Sequence, residues 1–262
     1  MIDRKFIGTI LLFMAGLGAL LIVSGVAKGD EIVLDKDVIV LRSDVSDHSM
    51  SELTYRISSS KSDEIMLFIT SPGGSISAGM SFIDFMKSSG KKFVCIADYA
   101  ASMAFSIFQR CDIRYVMESS VLMQHLSGIY VSGDQPNAIN FMKFLISMNK
   151  KLEKEEAKIL NMTYHSYKSM INNDVWMYGK QAVSKNAADE VVSIRCEPAL
   201  SRSVVTTSQL GMFGVDNLTW SGCPLIRFPL KYNNMEIIQK FDRSKWDTKY
   251  IKKINRFGRG HE

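Results

Sequence analysis

Three kinds of residue suited to acyl transfer stand at the ends of short apolar runs. Ser102 follows Phe93-Val94-Cys95-Ile96-Ala97, inside Ala100-Ala101-Ser102-Met103-Ala104. His125 closes Val121-Leu122-Met123-Gln124. A double glycine, Gly73-Gly74, follows Ile65-Met66-Leu67-Phe68-Ile69 and Ser71-Pro72. A serine nucleophile needs a base within hydrogen-bond reach, a group that orients the base, and donors where the oxyanion forms. With Ser102 as nucleophile, His125 as base and the double glycine as oxyanion hole meet two of these needs. Asp174, just before the apolar Val175-Trp176-Met177, is the candidate orienting group. The serine, histidine and glycines also have plainer readings: a helix-capping serine, a structural histidine, turn glycines. Their joint position at one sheet edge favours the chemical reading, because open α/β sheets carry their sites at strand C-termini.

The elements that must position these residues can be read from periodicity. The apolar runs are short and continuous, as strands buried on both faces are. Val38-Ile39-Val40-Leu41 reads as a further strand. Ser49-Met50-Ser51-Glu52 has capping-box spacing, with Met50, Leu53 and Ile57 on one helical face. Ser75 caps a helix over 76–88, and Gly90 follows as its C′ residue. A short helix runs from Ser102 to Gln109, and strands follow at 113–117 and 121–124. Pro136 opens a long helix to about Leu160, with Ile139, Met142, Ile146 and Leu152 as its apolar stripe. At about 36 Å it projects from a domain of this size and offers an oligomer contact. Shorter helices follow at 166–171 and 179–185, the second ending at Asn186, and a last strand at 190–194. Alternating strands and helices of this kind indicate a parallel α/β sheet.

The 262 residues are 46% apolar and 23% charged, an ordinary globular balance. The formal charge of +5 is matched by nine Lys and Arg against four Asp and Glu from Lys231 onward. No helix combines Lys and Arg with interleaved aromatics, so nucleic acid is not an expected partner. Residues 6–27 are uncharged and mostly apolar, preceded by Arg4 and Lys5. That length suits a membrane-spanning helix; Gly25-Val26-Ala27 also fits a signal cleavage site. Both readings leave the positive end in the cytoplasm and carry the rest across a membrane.

The four cysteines, Cys95, Cys111, Cys196 and Cys223, form no C-x-x-C pair, so neither zinc nor any other cofactor is expected. Cys95 reads as a buried thiol, and Cys196 with Cys223 as the better disulfide pair. After Glu197 the texture changes. Val204-Val205-Thr206-Thr207 and Leu225-Ile226-Arg227-Phe228 read as short strands, and 235–255 as a basic helix.

From Lys36 to Ile194 the chain resembles the proteolytic subunit of the Clp protease, within the group that includes crotonases and signal peptide peptidase A. Ser71-Pro72-Gly73-Gly74 with Ala78-Gly79-Met80-Ser81, Ala100-Ala101-Ser102-Met103, Met123-Gln124-His125, and Asp174 with the closing Asp189 carry the resemblance. It implies a catalytic triad of Ser102, His125 and Asp174, with the backbone N–H groups of Gly74 and Met103 as oxyanion donors. It also implies that the helix after Pro136 is a ring contact between copies. Three departures stand out. Asp98 occupies a position where the family usually has glycine. Leu126-Ser127 follows His125 in place of Gln-Pro. The apolar run replaces the N-terminal segment that meets an ATPase.

The resulting expectation is an α/β protein of the Clp/crotonase type, with repeated β-β-α units and a parallel sheet. Residues 1–30 are the anchor or signal segment, 31–196 the peptidase domain and 197–262 a small α+β extension. The expected activity is ATP-independent serine peptidase action on unfolded or short peptides outside the cytoplasm, by a homo-oligomer joined to the membrane through its N-terminal segment. Two other readings use the same fold: a catalytically silent binding or scaffold protein, and an acyl-CoA enzyme of the crotonase kind.

Overall fold

Side chains alternate along an extended strand, and here that alternation divides the core in two. Leu67, Ile69, Cys95 and Ala97 join one buried cluster, while Phe68 and Ile96 join another. A computed structural model of the chain describes residues 31–128, 131–211, 214–233 and 235–236.

In chain order, β1 (Glu31–Leu34) and β2 (Ile39–Leu41) precede α1 (Asp47–Ser59), β3 (Glu64–Ser71), α2 (Ile76–Ser88), β4 (Lys92–Ala101), α3 (Met103–Phe108) and β5 (Ile113–Gln124). Next come α4 (Gln135–Ile159), α5 (Tyr164–Ile171), β6 (Val175–Tyr178), α6 (Gly179–Ser184), β7 (Glu190–Val191) and β8 (Ser193–Cys196). The extension contains α7 (Pro198–Arg202), β9 (Val204–Gly211), β10 (Gly214–Ser221), β11 (Lys231–Tyr232) and β12 (Met235–Glu236).

The main sheet runs β2-β3-β4-β5-β6. Its first four strands are mutually parallel, and β6 closes the edge antiparallel to β5. β5 changes partner along its length: Tyr115 and Val116 face β7, whereas Val121 to Gln124 face β6. One face of the sheet is covered by Met50, Leu53 and Ile57 of α1, Phe82 and Met86 of α2, and Phe105 and Phe108 of α3. The other face, with Phe68 and Ile96, is covered by Leu34 of β1 and Leu200 of α7, with Ile194, Cys196 and Leu225 packed around them. Each such large apolar side chain contributes about 1.5–3 kcal/mol on burial. The extension is therefore part of the core that holds the sheet, and its own strands form an antiparallel sheet in the order β12-β11-β10-β9.

Several sequence expectations need correction. The α1 capping box lies three residues earlier than predicted. Ser46 is the N-cap and exchanges bonds with Ser49, because the helix begins at Asp47. The strands expected at 113–117 and 121–124 are one strand, since Met117 to Ser120 continue extended across an irregularity in register. The strand expected at 190–194 is two, because Val192 marks the switch from pairing with β5 to pairing with β1. Residues 225–228 form an irregular loop with no ladder partner; Met235–Glu236, where the basic helix was expected to begin, form a short strand, and the rest of that expected helix falls outside the described residues. Cys95 is not a free thiol: it is bonded to Cys111, which the turn after α3 brings back beneath β4. The expected Cys196–Cys223 bond is present. Residues 1–30, including the apolar run, and the basic stretch 237–262 lie outside the described residues. Among those described, no helix is long and apolar enough to cross a membrane.

Candidate active site

β4 passes directly into α3, and the single residue between them is Ser102. Turning from strand to helix in one step forces φ 54° and ψ −123° on it. A non-glycine residue held there costs about 1–3 kcal/mol. The turn is pinned by the Ser102 N–H, which donates to the Met123 carbonyl at 2.9 Å, and by the Ser102 carbonyl, which accepts from the Ser106 N–H at 3.2 Å. Ser102 occupies the N-cap position of α3, yet its hydroxyl makes no capping bond. The hydroxyl instead lies 2.9 Å from Nε2 of His125. Both side chains are half-buried.

Gly73 and Gly74 face this turn. Val45, in the connection between β2 and α1, holds them in a one-residue parallel bridge. Its N–H donates to the Gly73 carbonyl at 2.8 Å, and its carbonyl accepts from the Ser75 N–H at 2.7 Å. In a parallel bridge of this pattern the N–H of Gly74 points away from Val45. Gly74 adopts φ 147°, and a Cβ there would lie 2.4 Å from the Val45 carbonyl oxygen. Met103 is the first residue of α3, so its N–H has no acceptor within that helix. Ser75 caps α2 by accepting from the Ala78 N–H at 3.3 Å, as the sequence predicts.

Asp174 immediately precedes β6. The ladder pairs Gln124 with Val175, and one further step sets Asp174 opposite His125. Asp174 is exposed, however, and among the described residues no hydrogen bond joins it to the imidazole. Serine and histidine are therefore in contact, and the aspartate stands opposite the histidine on the neighbouring strand without a hydrogen bond to it. Asp189 has a separate place: its carboxylate takes the Arg114 guanidinium at 2.5 Å and the Arg114 N–H at 2.7 Å, which fastens the start of β7 to β5.

Two features beside the site were not apparent from the sequence. Asp98 is skipped by both neighbouring ladders, so it sits in a bulge of β4. Its side chain is 3% exposed and pairs with the guanidinium of Arg227 at 2.5 Å. A bulge relaxes the pleat, which explains how aspartate fits where glycine is usual in the resembling family. Behind His125, the Gln124 side chain donates to Glu156 at 3.1 Å and accepts from the His125 N–H at 3.1 Å. Tyr167 donates to the same carboxyl group. Burial pushes the Glu156 carboxyl above its ordinary range, against the opposing effect of these hydrogen bonds. The polar residues in α4 and α5 carry no sequence motif; the packing of α4 against α5, with Gln124 reaching in from the end of β5, brings them together.

Comparison with known proteins agrees with this architecture. The chain is 26% identical over 172 residues to the ATP-dependent Clp protease proteolytic subunit 2 of Corynebacterium efficiens, covering 62% of this chain and 85% of that one. Residues 19–195 match the family described as Clp protease. With two-thirds of its length matched and its glycine loop, serine turn and histidine strand assembled on one sheet edge, the chain belongs to the Clp protease family.

Proposed function

We propose that the protein is a serine peptidase that cleaves unfolded or short polypeptides without ATP. The observation that carries this reading is the 2.9 Å contact between the Ser102 hydroxyl and His125 Nε2, made by a serine whose hydroxyl has been released from helix capping. Ser102 Oγ attacks the scissile carbonyl carbon while His125 takes its proton. The Gly74 and Met103 N–H groups hold the oxyanion. His125 then gives the proton to the leaving amine, and water, activated by the same imidazole, hydrolyses the acyl-enzyme. Asp174 swings from its exposed position onto the imidazole when substrate closes the site, since catalytic hydrogen bonds tighten on complex formation.

The setting proposed is outside the cytoplasm, in a homo-oligomer held at the membrane by residues 6–27. The two disulfides support an oxidising compartment. The first half of α4 supports assembly: Ile139, Phe141, Met142, Phe144 and Ile146 are all exposed on it. A second reading, a silent binding protein of the same fold, is favoured by one fact, the missing bond between Asp174 and His125. A fluorophosphonate probe separates the two. The peptidase reading expects labelling of the wild type and none of Ser102→Ala. An unlabelled wild type, or equal labelling of the two, would overturn it.

A further inference from the structure

Gln124 is the last residue of β5, and His125 is the first beyond it. The ladders of β5 with β4 and β6 stop short of the histidine: their last pairs are Met123 with Ala101 and Gln124 with Val175. The residue that brings its ring to Ser102 therefore takes no place in the sheet. Its backbone N–H is held by the side chain of Gln124, whose Oε1 accepts from it at 3.1 Å.

The other end of the same amide reaches away from the histidine. Nε2 donates to Glu156 Oε2 in α4 at 3.1 Å and to Ser106 Oγ in α3 at 3.3 Å. Ser106 lies one turn beyond the nucleophile, and its N–H donates to the Ser102 carbonyl at 3.2 Å. One side chain thus links the backbone of the base to the helix behind the nucleophile. Glu156 sets the sense of that link. Its Oε2 also accepts from the Tyr167 hydroxyl, so it presents an acceptor to Gln124, and only the NH2 end of the amide fits against it. The carbonyl end is then left facing the His125 N–H. Gln124, Ser106, Glu156 and Tyr167 are all buried, where a lost partner is costly.

We infer that Gln124 is a positioning residue for the Ser102–His125 pair, with Glu156 fixing the orientation of its amide. The catalytic part of this role rests on the peptidase reading; the hold on His125 stands on the hydrogen bonds alone. Gln124 acts through the histidine backbone, which it steadies against α3 and α4. Losing that hold lets the ring move relative to Ser102 Oγ, and a misplacement of about 1 Å can cost about a hundredfold in rate. The loss falls on the chemical step and leaves binding of substrate or probe unchanged.

Labelling kinetics of the full chain with a fluorophosphonate probe test the role, with the inactivation rate and the probe affinity measured separately. Gln124→Met, similar in length but without the amide's donor and acceptor, is expected to slow inactivation about tenfold and to leave affinity within about twofold. Glu156→Leu is expected to slow it similarly, and Glu156→Gln, whose carbonyl still accepts from Gln124, to restore most of the rate. A merely structural role would lower stability without this split or this rescue. An undiminished rate in Gln124→Met, a loss that falls on affinity, or a Glu156→Gln as slow as Glu156→Leu overturns the assignment. Exchange of the His125 amide hydrogen in the wild type, followed by NMR, needs no variant and no activity. Exchange at least about a hundredfold slower than in an open chain is expected for a held N–H, and free exchange overturns the hold. A wild type that takes up no probe overturns the peptidase reading instead, and the exchange rate then decides the hold on His125 by itself.

Discussion

Gly73 packs against the Ser102 turn with no room for a side chain between them. A Cβ on Gly73 would stand 2.8 Å from the Ser102 Cβ, 2.5 Å from the Ala101 carbonyl oxygen and 2.8 Å from the Met103 nitrogen. The glycine has φ 90°, which L residues rarely adopt. Gly73→Ala is therefore expected to displace the serine turn. The expected outcome is a loss of about 2–4 kcal/mol of stability, from strain and overpacking together, and disappearance of fluorophosphonate labelling. Thermal unfolding and labelling of the same preparation check it. Retention of both would mean that the loop yields without disturbing Ser102.

Ser102 itself is held at φ 54°. Ser102→Gly removes the strain of about 1–3 kcal/mol and gives back part of it through the greater freedom of the unfolded glycine chain. A net stabilisation of about 1 kcal/mol is expected, together with complete loss of labelling. Chemical denaturation measures the first. A destabilised Ser102→Gly would show that the turn is not a strained position.

Glu156 predicts a dependence on pH. Its folded carboxyl lies above the ordinary value of 4.5, chiefly through burial. A raised group contributes its stability below the unfolded value, and that contribution is lost as pH rises through the folded value. Glu156→Gln has no proton to lose. Its stability relative to wild type is expected to climb as pH rises above about 4.5. Denaturation curves at several pH values test this, and a constant or falling difference would contradict it.

Asp98 and Arg227 make a one-sided pair, with side-chain exposures of 3% and 57%. Arg227→Ala leaves a buried carboxylate without its partner, at a cost of about 1–3 kcal/mol after allowing for the exposed arginine. Adding Asp98→Gly removes the orphaned charge at a bulge that accepts glycine. The double variant is expected to recover most of the loss. A double variant no more stable than Arg227→Ala would argue against the pair.

These cases show what local pattern can reveal and where it stops. The α2 helix was readable to the residue, because Ser75, its apolar face and Gly90 lie within one short stretch. Ser102 and His125 were readable because each ends a run of buried strand residues and the strand order then brings them together. The Cys95–Cys111 bond was not, because Cys95 looks like any other core residue until α3 folds back. Arg227 was hidden in an apolar tetrapeptide with the composition of a strand. Asp174 shows an intermediate case: its place opposite His125 follows from the ladder, but its distance from the ring depends on the side chain of a residue in a loop. The alternation that predicts a parallel sheet also misses β6, whose direction is set by the α4–α5 connection and by no feature of its four residues.

The ribbon of β1 and β8 carries a consequence for the order of events during synthesis. Glu31 and Arg195 meet at 3.0 Å across 164 residues of chain, and the parallel register runs from Glu31 opposite Ser193 to Leu34 opposite Cys196. Nothing short-range can form this ribbon, so closing it is among the slowest contacts the chain makes. The leading strand must wait, unpaired, until almost the whole peptidase domain has left the ribosome. The Cys196–Cys223 bond then ties the last strand of that ribbon to the extension, so the closed ribbon and the extension hold each other in place.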